Sequence, residues 1–204
     1  MAKVTCKCFT YAKYSSGGDG NAISYTGGNM LDDYLAKCEI TEERSDEREY
    51  ADGHLIDSEK IPVAARMVME LVNNNSAIKK DVLGLKEISN ELVLTEADPA
   101  IVGAGCLMAN RYKGVVTWEG YWLYKTMFSH QGVSAETRRD RTTFQHDTIE
   151  GTAMAVKFSS DGDVCYYAHK DGLTEANAIA WLKEHAGIQA VVNGGGGSNT
   201  GGGT

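Results

Sequence analysis

VAARMVMELV, Val63 to Val72, is a nearly continuous apolar run. It suits a strand covered on both faces, or a segment of buried helix. Pro62 precedes it and fits the first position of a strand, where no ladder donor is required. Working outward, the neighbouring segments favour the strand reading. Val102 to Arg111 and Tyr121 to Phe128 are strand candidates, and Val115, Val116, Thr117 and Trp118 add β-branched and aromatic residues between them. Arg141 to Asp147, Thr152 to Phe158 and a short Cys165 to His169 complete the downstream set, the last after an Asp161-Gly162-Asp163 turn. Upstream, Leu35 to Tyr50 alternates polar and less polar residues.

Two helices interrupt this pattern. Ser76 to Leu83 carries Ile78 and Val82 on one side, with Gly84 as its stop. Thr174 is a good N-cap and Glu175 complements the positive helix end. Ala178, Trp181, Leu182 and His185 then share a face, and Gly187 ends the helix. The expected architecture is mainly β within the α+β class: two packed antiparallel sheets, a short flanking helix and a C-terminal helix. Residues 1–34 read as an N-terminal arm and Gly-rich loop, 35–190 as the main domain, and 191–204 as a flexible Gly-rich tail.

The 204 residues carry a formal charge of -8, which argues against a surface built to hold phosphates. No apolar run is long enough to span a membrane, and the N-terminus lacks a signal-peptide core, so synthesis in a cytoplasm is expected. The five cysteines are odd in number, and Cys6-x-Cys8 lacks the second ligand pair of a zinc ribbon. Small core residues are the plainer reading for them. No phosphate-binding glycine loop, zincin helix, nucleophile elbow or EF-hand loop is present. The expectation is therefore no catalytic residues, no metal and no cofactor. His54, His130 and His146 are the scattered candidates for a rival enzyme or ligand-binding reading.

Charge is the more informative pattern. Acidic residues crowd from Glu39 to Glu59, interrupted only by Arg44 and Arg48 among the acids and bases of the run's first half. Alternation along a strand would place Glu43, Glu47 and Glu49 together, with Ser45 between them. The bland interpretation is a solvated sheet face; the functional one is a surface that repels a polyanion. Arg138, Arg139 and Arg141 form a basic counterpart elsewhere.

The stretches EGYWLYKTMFS (Glu119 to Ser129) and ETRRDRTTFQHDTIEGTAMAV (Glu136 to Val156) resemble the major tail, or tail tube, proteins of siphophages, most closely the phi13-type family. YADGHLIDS (Tyr50 to Ser58), KKDVLGLKE (Lys79 to Glu87), GAGCLMANRYKG (Gly103 to Gly114) and LTEANAIAWLKE (Leu173 to Glu184) follow the same order. The resemblance implies hexameric rings stacked into a tube whose lumen conducts DNA, with tape measure and tail tip proteins as partners and no membrane insertion. It implies a virion tail protein made in the host bacterial cytoplasm. On that basis Glu39, Glu43, Glu47 and Glu49 are candidates for a lumen wall, with Arg141 and Asp147 on a second lumen strand. Ser15, Asp19, Asn21 and Asn29 lie in the candidate inter-ring loop, which would order on assembly. Two alternatives remain: a related assembly part, such as a contractile inner tube or tail terminator, and the histidine-based β domain.

Overall fold

The computed structural model describes residues 2–51, 54–96, 100–130 and 146–188. Its strands are β1 (Ala2–Ser16), β2 (Ser24–Leu31), β3 (Leu35–Ala51), β4 (His54–Leu71), β5 (Lys86–Ile88), β6 (Glu91–Val93), β7 (Ile101–Tyr112), β8 (Val115–His130), β9 (Asp147–Ala153) and β10 (Tyr167–Leu173). Two helices join them, α1 (Ser76–Asp81) and α2 (Glu175–His185). Among the described residues the fold is mainly β, with two antiparallel sheets and two helices. The large sheet has the order β2-β1-β7-β8-β9-β4-β3, with β10 also paired to β8; β5 and β6 form a separate hairpin.

β8 belongs to two halves of the large sheet. Its first part, Trp118 to Leu123, pairs with β10, and its last part, Thr126 to His130, pairs with β9. The inward-facing residues change parity between them. Leu123 enters the main core, and so does Phe128, while Trp122 faces the other way. The strand thus bends at Tyr124 and Lys125, whose backbones bond Tyr166 and Met154 rather than regular ladder partners. Both halves then bury one face in a common core.

That core alternates as an antiparallel sheet requires. Ala65, Met67, Met69 and Leu71 of β4 are buried, as are Phe9 and Tyr11 of β1 and Val102, Ala104, Cys106 and Met108 of β7. α1 closes the core with Ile78, and Val82 and Leu83 follow it inward. Each large apolar side chain buried here contributes roughly 1.5–3 kcal/mol. The opposite face of β1, β7 and β8 carries Cys8, Ala12, Leu107, Ala109 and Trp122, and α2 covers it with Ala178 and Leu182. The Thr174 side chain accepts from the Asn177 N–H, and Gly187 follows the helix at φ +66°. Asn75 caps α1, its side chain accepting from Ile78 N–H.

Several boundaries differ from the sequence expectation. Residues 2–16 are no arm outside the domain: β1 lies between β2 and β7. A register shift lies between Lys7 and Thr10, and Cys8 takes φ +58°, so the core-facing positions pass from Cys6 to Phe9 and Tyr11 while Cys8 points toward α2. This bulge disguises the strand by breaking its alternation. Pro62 is not a first residue. It sits inside β4 opposite Arg44, at a register shift where Val63 is the extra residue. The strand expected at Thr152 to Phe158 begins earlier, as β9, and that expected at Cys165 to His169 begins later, as β10.

Candidate functional site

β3 and β4 pair along their whole length, but β9 meets β4 only from Ala65 to Leu71. Beyond Ala64 the two strands therefore leave the sheet as a hairpin with both outer edges unpaired among the described residues. Its root is tied down: Tyr166 Oη donates to the Pro62 carbonyl at 3.1 Å, and Tyr167 Oη donates to Glu42 Oε1 at 2.5 Å. The Tyr167 bond, then Arg44, hold the Glu42 carboxyl below its usual range.

The two faces of β3 differ in charge. On the side continuous with the core-facing residues, Arg44 bonds Glu42 and Arg48 bonds Asp46, so cation and anion alternate. Glu39, Thr41, Glu43, Ser45 and Glu47 occupy the alternate positions. Glu39 lies 3.8 Å from Lys37, and Glu43 lies 2.8 Å from Arg66, which also pairs with Glu150 of β9 at 2.8 Å. Further out, Glu47 stands opposite Glu59, and Glu49 lies in register with Asp57. The like charges of Glu47 and Glu59 disfavour pairing there. The solvent-facing side of the second half-sheet is completed by Glu70, Val68 and Arg66 of β4 and by Thr148, Glu150 and Thr152 of β9, paired in that register. α2 lies on the other half of the sheet, against β8, β7 and β1.

Of the residues singled out from sequence, Glu39, Glu43 and Glu47 thus share one face, and Glu49 lies further along the same strand. Asp147 opens β9 opposite Leu71, at the end of the half-sheet away from the hairpin. Arg141, with Arg138 and Arg139, lies outside the described residues. Ser15 lies at the end of β1 and Asn29 in β2, where it bonds Tyr11 Oη at 3.2 Å. Asp19 lies in a backbone β-bridge to Lys157, whose carbonyl accepts from Gly20 N–H at 3.0 Å, and the Asn21 carbonyl accepts from Gly18 N–H in the turn between β1 and β2. The three histidines do not converge: His54 opens β4 at the hairpin tip, whereas His130 and His146 flank the opposite end, roughly 50 Å away along the strand.

No protein-family model matches this chain, and no curated protein matches it.

A second polar cluster escaped the sequence reading. Glu119 of β8, with a side chain 16% exposed, receives Tyr121 Oη at 3.0 Å and the Asn110 amide, and lies 3.5 Å from Lys3 Nζ and 3.7 Å from His169 Nε2. Burial pushes its carboxyl up, but the bonds from Tyr121 and Asn110 and the charge of Lys3 together hold it below the usual range. Tyr121 stacks on His169 with centroids 4.5 Å apart. These partners come from β1, β7, β8 and β10, so no local spacing announces them. Every group in the cluster is bound to another, an arrangement suited to fastening four strands. Among the described residues, no three His, Cys, Asp or Glu side chains are arranged to hold a metal ion, and no helix is long and apolar enough to cross a membrane.

Proposed function

We propose that this protein is the tail tube subunit of a long-tailed bacteriophage, a structural protein that forms stacked hexameric rings around a DNA-conducting lumen. The observation that carries this reading is the acidic, solvent-facing side of the β3-β4-β9 half-sheet, bordered by the unpaired edge of β3. An open strand edge invites pairing with another chain, and closing strands into a barrel removes such edges. A wall of Glu and Thr then suits a passage for DNA, because like charge keeps a polyanion mobile where a basic wall would bind it. Glu39, Glu43 and Glu47 would line that wall, with Glu49 continuing the strand. The resemblance of Glu119 to Ser129 and Glu136 to Val156 to siphophage tail tube proteins supports the same reading. Under it the subunit is made in the bacterial cytoplasm, ends in the virion tail, and meets the tape measure and tail tip proteins there.

The test is negative-stain electron microscopy of the concentrated purified protein, beside its sedimentation profile. Hollow tubes of uniform width are expected. Single rings that never stack would favour a tail terminator. A monomer that stays monomeric at every concentration, even with preformed tail tips added as initiators, would overturn the proposal.

A further inference from the structure

Three of the five cysteines come together at one end of the core, from three strands distant in sequence. Cys38 of β3 and Cys106 of β7 have their sulfurs 3.2 Å apart. Cys6 of β1 packs on the same core, and its thiol meets the backbone N–H of Cys38. The pair joins opposite walls, because β3 is the last strand of the second half-sheet and β7 lies in the middle of the first. Cys106 is fully buried, whereas Cys38 and Cys6 are half-buried. Cys6 and Cys38 both line a cleft of about 280 Å³ between β1 and β3, also bounded by Lys3, Lys37 and Met108, and the Cys38 sulfur lies at its inner side against Cys106. The remaining cysteines are elsewhere: Cys8 lies beneath α2 and bonds Asp32, and Cys165 lies in the loop before β10.

This arrangement has the parts of a thiol–disulfide exchange site: a cysteine lining a cleft, a resolving thiol behind it, and two lysines at the cleft's rim. We propose that Cys38 and Cys106 are oxidised to a disulfide by a small anionic disulfide, such as glutathione disulfide, and that the bond fastens the two half-sheets together. The Cys38 thiol loses its proton and attacks one sulfur of the small disulfide. That breaks the S–S bond, leaves a mixed disulfide on Cys38 and expels one thiolate. Cys106, deprotonated in turn, attacks the Cys38 sulfur and expels the second thiolate. The protein's two thiols lose two electrons and two protons; the small disulfide gains both and leaves as two thiols. Lys3, which also meets Glu119, and Lys37, which also meets Glu39 and Glu70, are the cations an anionic oxidant would reach first. The hydrogen bond to Cys106 and burial both hold the Cys38 thiol well above its ordinary range. Exchange is therefore slow at neutral pH, and the dithiol persists in a reducing cytoplasm. Once formed, the bond closes a loop from residue 38 to residue 106 and restricts the unfolded chain accordingly.

The experiment is to incubate the folded protein with glutathione disulfide at mildly alkaline pH, block residual thiols with iodoacetamide, and digest with trypsin without reduction. A linked pair of peptides, Cys38–Arg44 with Glu87–Arg111, is expected in the wild type and in Cys6→Ser. It should be absent from Cys38→Ser, which should instead retain an alkylated Cys106. The oxidised wild type should melt at least about 5 °C higher than the reduced protein. Glutathione adducts without the 38–106 link would overturn the inference, as would a link from Cys38 to Cys6. A linked protein that melts no higher would overturn the claim that the bond fastens the sheets. None of these outcomes depends on whether the protein forms tubes.

Discussion

Gly105 carries a requirement that its neighbours do not. A Cβ there would lie 2.3 Å from the Tyr121 carbonyl oxygen and 2.9 Å from a Leu182 methyl, so backbone on one side and α2 on the other leave no room. Gly120 opposes Trp181 in the same way, with a Cβ position 2.5 Å from the indole. The helix can rest on this face only because these positions are empty. His185, at the end of α2, shows what such close packing does to a titrating group. Its Nδ1–H donates to the Trp181 carbonyl at 3.1 Å, but burial outweighs that bond and lowers its pKa. The folded state then keeps the imidazole neutral at a pH where the unfolded chain takes up a proton. Stability from this group is intact above its unfolded pKa of about 6.5 and is lost as the pH falls through the lower folded value. The urea midpoint of the wild type should therefore drop more between about pH 7.5 and pH 5.5 than that of His185→Gln. Equal drops in the two proteins would show that His185 is not the responsible group.

At the scale of elements, the β3–β4 hairpin is stabilised at its root and opposed near its tip. Glu42, Tyr167 and Tyr166 fasten the root, whereas Glu47 faces Glu59. Glu59→Lys converts that opposition into attraction and should strengthen the hairpin by roughly 0.2–1 kcal/mol. Slower amide exchange confined to residues near 47 and 59 is the expected signature; faster exchange there would refute the like-charge account. The elements also show which parts of the chain could be read in advance. α2 was legible from Thr174 through Gly187 because cap, apolar face and stop are local signals. β7 and β8 were legible from their β-branched, aromatic and apolar composition. β1 was not, because the bulge at Cys8 moves the core-facing positions from Cys6 to Phe9 and Tyr11, so no single period-two pattern runs through the strand. The acidic alternation of β3 was visible, but the chain length of the hairpin beyond the sheet depends on where β9 stops, which only pairing decides. The Glu119 cluster and the three-thiol corner draw on strands up to about a hundred or more residues apart, and no spacing rule reaches that far.

For the whole molecule, the two sides of the large sheet have different fates. α2 covers one half, while the β3-β4-β9 face meets solvent. If that face lines a lumen, its charge acts on what passes through rather than on how the fold is held. Replacing Glu43 and Glu47 together by Lys should leave tube formation intact by electron microscopy while lowering the infectivity of virions carrying the change. Arg66 retains Glu150 as a partner in that variant, which limits the cost to the fold. Unaltered infectivity with intact tubes would remove these two residues from the lumen.

The position of β1 has a consequence in time. It is made before the other described elements, and its central partner, β7, starts about a hundred residues later in the chain. At typical translation rates of about 5–20 residues per second, β1 waits roughly 5–20 s for the strand that will shelter it. β2 can pair with it early, but the covering helix is synthesised last of the described elements. The core-facing side chains of β1 therefore stay uncovered until β7 is made, and those beneath α2 until the helix follows, and the nascent chain is most prone to stray association in that interval.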